Sequence, residues 1–600
     1  MNRHAHGAMM GCITVLLTLS AHAAPDLRVG ASFHAFDHLY AFDRQAEAAA
    51  ACGVTVLYAS GLGGDGYSGI PAPEAWAARL KACREYTAKA RQAGVPTVLG
   101  YLCATSIVGL EKFAANWTPE MKAEFRTTPD TWLQQDSDGK PLPSWYGGEY
   151  RPACMNNPDW RAYEKFMVRM QVETGHDGIF FDNPTVHEKG CYCPHCMNRF
   201  AAFLTGEGTA VPDPSLEALR KLAMERADDF KRFRCTIGRD FIAEMRAHAR
   251  TINPEAVITA NNSLNQPNVL FSQCHVYGYN ISEMSKTEDF VVIEDMGAEP
   301  RWLGDGKTAE CGPTYAQLHA LIHGKPLVAV TVSDNDYHTP PDLVRLAMAE
   351  AAAHQAVYML WPTWPEEQRP RMIAAVRPCA DWLRSHTEFL NASRPRRDVL
   401  LYLPFRQWVK DKKCAVTELA AQLTCANVQY EVADEEAFLA TLAQSRVTLV
   451  ESGHVLNAAE QDAVRAFKAG GGTLVAGDGK HWQRVLQTAV PRPSLTLQAP
   501  ETVRGVVRDT ADTAAVFLYN LHVERLSSFE DRVTAAERLT VTVRVPFKDV
   551  KAVRISTADA GIASGPVEHT AREEDGGKCI TVEIPRLDIA MMVIIEKGTA

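Results

Sequence analysis

The chain lacks the features that would place it outside the ordinary globular proteins. Its formal net charge is −10, from 62 basic and 72 acidic residues, so nothing in its charge favours nucleic acid or an anionic membrane. Its 15 cysteines in 600 residues are too few for a disulfide scaffold. The 46% hydrophobic and 22% charged residues exclude a disordered or fibrous chain. Because 600 residues are too many for one core, the length predicts about two to four domains.

The first 23 residues have the pattern of a secretory signal peptide. Arg3 supplies a positive charge, residues 8–20 form an apolar run too short to cross a bilayer, and Ala21-His22-Ala23 resembles a cleavage site. Cys12 precedes the apolar core, which argues against a lipoprotein anchor. We therefore expect a periplasmic or secreted protein without a membrane partner after cleavage. The alternative is an uncleaved anchor.

Residues 24–392 alternate between strand and helix patterns. Eight apolar, β-branched runs predict strands, and they are continuous, as is typical of a parallel sheet buried on both faces. Eight such units in about 340 residues predict a (β/α)8 TIM barrel, with an open doubly wound sheet as the alternative. The predicted strands are 27–33, 54–60, 95–102, 178–182, 256–260, 290–295, 326–332 and 356–361.

Two smaller domains are predicted after the barrel, so the predicted fold class is α/β with an appended β-domain. Residues 393–496 repeat the strand–helix pattern and predict a flavodoxin-like domain. Within them, residues 470–472 are three glycines that follow a helix and precede a strand, which favours a helix-ending turn over a phosphate loop. Residues 497–600 lose the helical pattern and predict an antiparallel β-sandwich.

Three cysteines lie within six residues directly after the fourth predicted strand: Cys191, Cys193 and Cys196. Thiolates at this spacing suit a tetrahedral, structural zinc site with one further ligand, because four cysteine ligands leave no open position. The alternative is a set of redox thiols, or one disulfide with a spare thiol. Cys154 is preferred as the fourth ligand because it lies before the helix that leads into strand four. The candidates for that ligand are Cys154, His187 and His195.

These cysteines belong to a longer pattern. Residues 151–154 read Arg-Pro-Ala-Cys, residues 158–161 read Pro-Asp-Trp-Arg, and Phe200 follows the C-x-C-x2-C motif. Together they resemble the zinc cluster of the family 42 glycoside hydrolases, the β-galactosidases. The resemblance implies a barrel, a flavodoxin-like trimerisation domain and a small β-domain. It also implies a homo-oligomer and a saccharide or glycoside substrate.

The sequence departs from that family at the two catalytic glutamates. The family has an Asn-Glu pair at the end of strand four, where this chain has Asp182-Asn183-Pro184. It has a nucleophilic glutamate at the end of strand seven, where this chain has Ser-Asp-Asn-Asp at residues 333–336. The chain therefore looks more like a glycosyl-hydrolase-like relative with a different pair of carboxylates.

Carboxylates at the carboxyl ends of barrel strands are the candidates for catalysis, because barrel enzymes act there. Asp182 ends strand four and, by alternation, shares a face with Gly178 and Phe180. Glu294 and Asp295 end strand six on opposite faces, and Glu294 is preferred for its longer reach. An aspartate nucleophile on strand four with an acid on strand five or six resembles several α-glycosidase clans. The alternatives are a loop-organising role for Asp182 and an ion pair for Glu294.

Other strand ends supply polar and aromatic side chains, a mixture that suits a saccharide. Asp334 and Asp336 are also further candidates for a catalytic carboxylate. The alternative to a glycosidase is a catalytically silent carbohydrate-binding barrel, which would retain a sugar without releasing a reducing end. The predicted substrate-binding residues are His34, Tyr58, Asn261, Asn262, Asp334, Trp361 and Trp364.

Overall fold

Eight parallel strands close into a barrel in the first 360 residues. The strand β1 pairs with both β2 and β8, which closes the sheet. Each strand overlaps one of the eight predicted runs, so the TIM-barrel prediction is confirmed. The strands are β1 Gly30–Phe33, β2 Val56–Ala59, β3 Thr97–Cys103, β4 Gly178–Asp182, β5 Val257–Ser263, β6 Val291–Asp295, β7 Leu327–Thr331 and β8 Ala356–Leu360.

The computed structural model describes residues 30–33, 42–59, 61–144, 146–263, 270–295, 299–331, 338–361, 364–411, 415–574 and 576–598. The predicted signal peptide lies outside these residues. So do three predicted site residues, His34, Asp334 and Asp336, and the side chain of Asp295.

Fourteen α-helices lie between and after the described barrel strands. None of the described helices is long and apolar enough to cross a membrane. The helices are α1 Phe42–Ala51, α2 Gly63–Ser68, α3 Pro73–Ala93, α4 Pro119–Phe125, α5 Pro158–Glu173, α6 Pro194–Gly206, α7 Leu216–Glu225, α8 Ala227–Ile252, α9 Leu270–Val276, α10 Ile281–Met284, α11 Gly312–Leu321, α12 Pro341–Ala353, α13 Arg369–Ser385 and α14 Thr387–Ala392.

Local signals fix the ends of these helices. The helix α5 has proline at its first position, and the Asn157 side chain accepts the free N–H groups of Asp159 and Trp160. The helix α3 ends at Gly94, whose φ of 99° is readily adopted only by glycine. Strand β3 begins three residues later, so the turn returns the chain directly to the barrel.

Alternate side chains of the strands fill the barrel interior. Phe180 on β4 and Phe290 and Val292 at the start of β6 all belong to this inner cluster. Asp182 and Glu294 continue the same two rows at the carboxyl ends of their strands, so both carboxylates face inward. The described inner cluster consists of Val56, Tyr58, Leu99, Tyr101, Cys103, Phe180, Phe290, Val292, Val328, Met359 and Trp361.

The second domain is a four-stranded parallel sheet with helices, which confirms the flavodoxin-like prediction. Its strands are β9 Val399–Leu403, β10 Tyr430–Asp434, β11 Val447–Val450 and β12 Thr473–Ala476, in the order β10-β9-β11-β12. Gly470 directly follows the helix Ala458–Ala469, so the glycine run ends a helix as expected. The helices are α15 Phe405–Asp411, α16 Val416–Cys425, α17 Glu435–Leu442, α18 Ala458–Ala469 and α19 Trp482–Ala489.

The C-terminal region is an antiparallel β-sandwich, as predicted, with one apolar core formed by residues of both sheets. The four-stranded sheet is ordered Leu495–Gln498, Ala536–Val545, Gly577–Leu587 and His569–Glu574. The six-stranded sheet is ordered Arg394–Pro395, Val503–Asp509, Thr513–Asn520, Ala590–Lys597, Val550–Thr557 and Gly565–Pro566. The segment that leaves the barrel therefore pairs with this sandwich before the second domain begins.

Gly178 begins β4 where its backbone approaches β5 too closely for a side chain. A methyl group there would lie 1.8 Å from the Val257 carbonyl oxygen, so a barrel strand would have to move. We expect Gly178→Ala to destabilise the protein by at least about 3 kcal/mol or to prevent folding. Thermal denaturation followed by circular dichroism measures this. Gly206→Ala is the control, because nothing lies within 4 Å of its added atom, and equal melting temperatures for the two variants would contradict the prediction.

Candidate active site and metal centre

Two carboxylates meet at the mouth of the barrel through one shared amide. Asn261 lies on β5, between the strands that carry Asp182 and Glu294. Its Nδ2 donates a hydrogen bond of 3.1 Å to Asp182 Oδ1 and one of 2.9 Å to Glu294 Oε2. These two oxygens therefore lie within about 6 Å of each other. The structure brings the three side chains together as one unit.

Asp182 is surrounded by hydrogen-bond donors. The Tyr101 hydroxyl donates to its Oδ2 at 2.7 Å, the Asn183 side chain donates to the same oxygen at 2.9 Å, and the Asn183 backbone N–H donates to Oδ1 at 3.0 Å. Burial raises the pKa of Asp182, while the bonds from Tyr101, Asn261 and Asn183 lower it. The donors thus stabilise the ionised form. The bonds to Asn183 also fit the loop-organising role.

Glu294 has a different environment. Burial, and then the negative charge of Asp182, raise its pKa to about 7, although the hydrogen bond from Asn261 acts to lower it. Near neutral pH, Glu294 therefore holds a proton that it could donate. No described lysine or arginine forms an ion pair with Glu294, so the ion-pair alternative finds no support among these residues.

Three buried polar atoms in the barrel interior or at its mouth have no hydrogen-bond partner in the described part of the chain. They are the hydroxyls of Tyr58 and Tyr279 and Oδ1 of Asn261. Tyr58 packs edge-on against Phe180, beneath Asp182, with ring centroids 5.2 Å apart. Burial and then the charge of Asp182 raise the pKa of Tyr279. Because an unpaired buried polar group is costly, these atoms suit the hydroxyls of a ligand.

The other predicted substrate-binding residues that the structure describes are Trp361, Asn262 and Trp364, and they lie in three different parts of the barrel domain. Trp361 joins Tyr58 in the inner cluster. Asn262 lies on the outer face of β5 and donates to both carboxylate oxygens of Glu288 at 3.2 Å, so it is not brought to the pair. Trp364 packs in the apolar cluster outside the barrel.

Sequence reasoning missed two residues of the site. Tyr101 precedes the end of β3, and the alternation of Leu99, Tyr101 and Cys103 could have placed it on the inner face. Tyr279 follows α9, and its place depends on packing. The backbone N–H of Val186, in the loop after β4, donates to the Tyr277 carbonyl at 2.8 Å and holds this segment near the mouth.

The four predicted metal ligands form one buried cluster. The sulfur atoms of Cys154, Cys191, Cys193 and Cys196 all lie within 4.8 Å of one another. Cys154 Sγ is 3.5 Å from both Cys193 Sγ and Cys196 Sγ. Metal–sulfur bonds of about 2.3 Å in a tetrahedron separate the sulfurs by about 3.8 Å, whereas a disulfide needs about 2 Å. The cluster could therefore hold a metal ion, with Cys154 as the fourth ligand rather than a histidine.

Neighbouring N–H groups hold two of these sulfur atoms in place. The Asn156 amide donates to Cys196 Sγ at 3.3 Å, and the Gln135 backbone N–H donates to Cys191 Sγ at 3.5 Å. Such outer contacts orient metal ligands. The cluster belongs to the apolar core outside the barrel, whereas the carboxylate pair lies inside it, so a metal here would be structural.

Solved structures of other proteins share the three-domain architecture of this chain. No protein-family model and no curated protein sequence matches the chain. A catalytic mutant of a family 42 β-galactosidase from G. stearothermophilus matches with a TM-score of 0.60 and 12% identity, over 96% of this chain and 98% of that one. This chain has the architecture of the family 42 glycoside hydrolases. The predicted resemblance is confirmed at that level.

Two other solved structures share this fold. The α-L-fucosidase isoenzyme 2 from Paenibacillus thiaminolyticus matches with a TM-score of 0.63 and 13% identity, over 96% of this chain and 100% of that one. A cycloisomaltooligosaccharide glucanotransferase from Paenibacillus sp. matches with a TM-score of 0.55 and 10% identity, over 95% of this chain and 85% of that one. The chain thus has a glycosidase-like fold over nearly its whole length.

The raised pKa of Glu294 affects folding stability. In the folded chain Glu294 keeps its proton up to about pH 7, whereas in the unfolded chain it keeps the proton only up to about pH 4.5. The protonated glutamate therefore contributes its full share of folding stability below pH 4.5, and this contribution is lost as the pH rises to about 7. Glu294→Gln removes the ionisation. We therefore expect it to raise the melting temperature by about 2–4 °C at pH 8 and by much less at pH 5. Differential scanning calorimetry measures both values, with Glu111→Gln, an exposed glutamate, as control. The same difference at both pH values would show that the pKa is not raised.

Proposed function

We propose that the protein is a retaining glycosidase that cleaves a glycosidic bond between Asp182 and Glu294. The observation that carries this proposal is the Asn261 amide, which hydrogen-bonds both carboxylates and keeps the bonded oxygens within about 6 Å. Retaining glycosidases hold their carboxyl groups about 5–5.5 Å apart, and inverting ones about 6.5–9.5 Å apart. A separation within about 6 Å lies nearer the retaining range, in which the second carboxylate attacks the sugar directly.

Asp182 is the nucleophile in this mechanism. Four hydrogen bonds stabilise its negative charge. Glu294 protonates the departing oxygen while Asp182 bonds to the anomeric carbon. The resulting ester removes the charge of Asp182, which lowers the pKa of Glu294 and suits it to deprotonate the attacking water. Hydrolysis of the ester then restores both groups.

The lining of the site supports a saccharide as the substrate. The unpaired Tyr58 and Tyr279 hydroxyls and Asn261 Oδ1 can exchange hydrogen bonds with sugar hydroxyls, and Trp361 supplies an apolar ring. The similar structures include proteins named for activity on fucosides and galactosides. A silent carbohydrate-binding barrel is less well supported, because binding alone gives no reason to bury two carboxylates side by side.

We expect Asp182→Asn to lower turnover at least about 1,000-fold, because the nucleophile is lost with little change of shape. Glu294→Gln should lose less on aryl glycosides, because a good leaving group needs little protonation. Release of nitrophenol from α- and β-linked galactosides, glucosides and fucosides measures both effects.

Glu288→Gln is the matched control, since Glu288 is a buried glutamate bound by Asn262 on the outer face of the barrel. Azide should rescue Asp182→Ala by replacing the nucleophile. Wild-type turnover by Asp182→Asn would refute the assignment and make Asp334 or Asp336 the next nucleophile to test.

We propose zinc as the metal of the four-cysteine cluster, because four thiolates in a tetrahedral arrangement suit this ion. Elemental analysis should find about one zinc per chain. Cys193→Ser should lose the metal and melt at a lower temperature, because metal binding is coupled to folding. Cys83→Ser, at a buried thiol outside the cluster, should keep the zinc. Disulfides at the four residues without any metal would contradict this proposal.

We also propose that the protein is exported and assembles into a homo-oligomer through its flavodoxin-like domain. The signal pattern supports export, and the family 42 architecture supports assembly. Closed cyclic symmetry is the usual arrangement for such contacts. Light scattering at micromolar concentration should give a multiple of about 64 kDa, and a monomer mass would exclude the assembly.

A further inference from the structure

A second group of neighbouring cysteines lies apart from the four-cysteine cluster. Cys235 lies on α8, before β5, and Cys274 lies on α9, after β5. Cys235 Sγ is 3.6 Å from the carbonyl oxygen of Cys274, and each of the two thiols shifts the pKa of the other. Both are buried, at 4% and 1% exposure. Two cysteines that are 39 positions apart in the chain are therefore in contact in the folded protein.

The backbone around the two cysteines is held independently of the thiols. Arg234, next to Cys235, donates hydrogen bonds of 3.0 Å to the His275 carbonyl and 2.9 Å to the Val186 carbonyl. The guanidinium thus ties α8 to the residue after Cys274 and to the loop after β4. The approach of the two sulfurs is a consequence of this fixed geometry.

A metal does not account for this pair. Within the described residues, the four-cysteine cluster is the one place where three or more ligand atoms from cysteine, histidine or carboxylate groups gather. Among the described residues, Cys235 and Cys274 do not belong to any such group of three ligands. We propose that Cys235 and Cys274 form a structural disulfide in the exported protein. The proposal does not depend on glycosidase activity.

The chemistry is thiol–disulfide exchange with an oxidising disulfide, either a small molecule or a thiol oxidoreductase. A hydrogen bond from the Cys274 thiol lowers the pKa of Cys235, and Arg234 acts in the same direction, so Cys235 is the first nucleophile. Its thiolate attacks the partner disulfide and releases one thiol. Cys274 then attacks the mixed disulfide and releases the second. Two cysteine thiols are oxidised, and one partner disulfide is reduced to two thiols.

Since both thiols are buried, the exchange takes place during folding. The resulting ring encloses β5 with Asn261, the residue shared by the two carboxylates. It also anchors the segment that leads to Tyr279. The disulfide would therefore restrict the movement of the segments around β5. It would stabilise the protein by reducing the number of conformations open to the unfolded chain.

The test is peptide mapping of protein exported to a bacterial periplasm behind its own first 23 residues. The protein is unfolded in N-ethylmaleimide without reductant and digested with trypsin, which places Cys235 in the peptide 235–239 and Cys274 in the peptide 251–286. We expect the two peptides to be joined and unlabelled in most molecules. Cys83 and Cys379, buried cysteines of other helices, should be labelled.

A second measurement separates a disulfide from simple packing. Dithiothreitol should lower the melting temperature of the wild type by a few degrees and leave that of Cys235→Ala/Cys274→Ala unchanged. In Cys274→Ala, Cys235 should become labelled. Full labelling of both cysteines in the wild type, or a bond from either one to a different cysteine, would overturn the proposal.

Discussion

The site depends on one constraint, which is the pairing register of the strands in the closed barrel. Side chains of a strand alternate between two faces, and in a closed barrel one face points inward. Asp182, Asn261 and Glu294 share that face at the carboxyl ends of three neighbouring parallel strands. A shift of one residue in any of these strands would turn its side chain outward and break the unit.

Burial in the barrel also gives the two carboxylates different protonation states. Charges buried this close to each other cannot both form at low cost. Asp182 accepts four described hydrogen bonds and Glu294 accepts one, so ionisation is favoured at Asp182 and the proton stays on Glu294. This unequal sharing of donors, rather than the residue types, assigns the nucleophile and the acid in the proposed mechanism.

The cysteines support the strands that carry these groups. The four-cysteine cluster joins the segment before α5, which leads into β4, to the segment just after β4. The Cys235–Cys274 pair lies in the same way on both sides of β5. A metal at the first place and a disulfide at the second would each brace one strand of the site from outside the barrel. Both features leave the inner face free for a ligand.

The sequence by itself determined the eight barrel strands and the order of the three domains, because apolar runs and helical periodicity are local properties. It also located the two carboxylates, since strand ends can be read from the pattern. The elements it missed include β10 and α17, which together span only 13 residues, and also the longer helices α6 and α13. Only the tertiary structure decided that Asn261 faces the pair while Asn262 binds Glu288, that Tyr279 returns to the mouth, and that Cys235 meets Cys274. These outcomes depend on strand register and on contacts between distant segments, which no local pattern records.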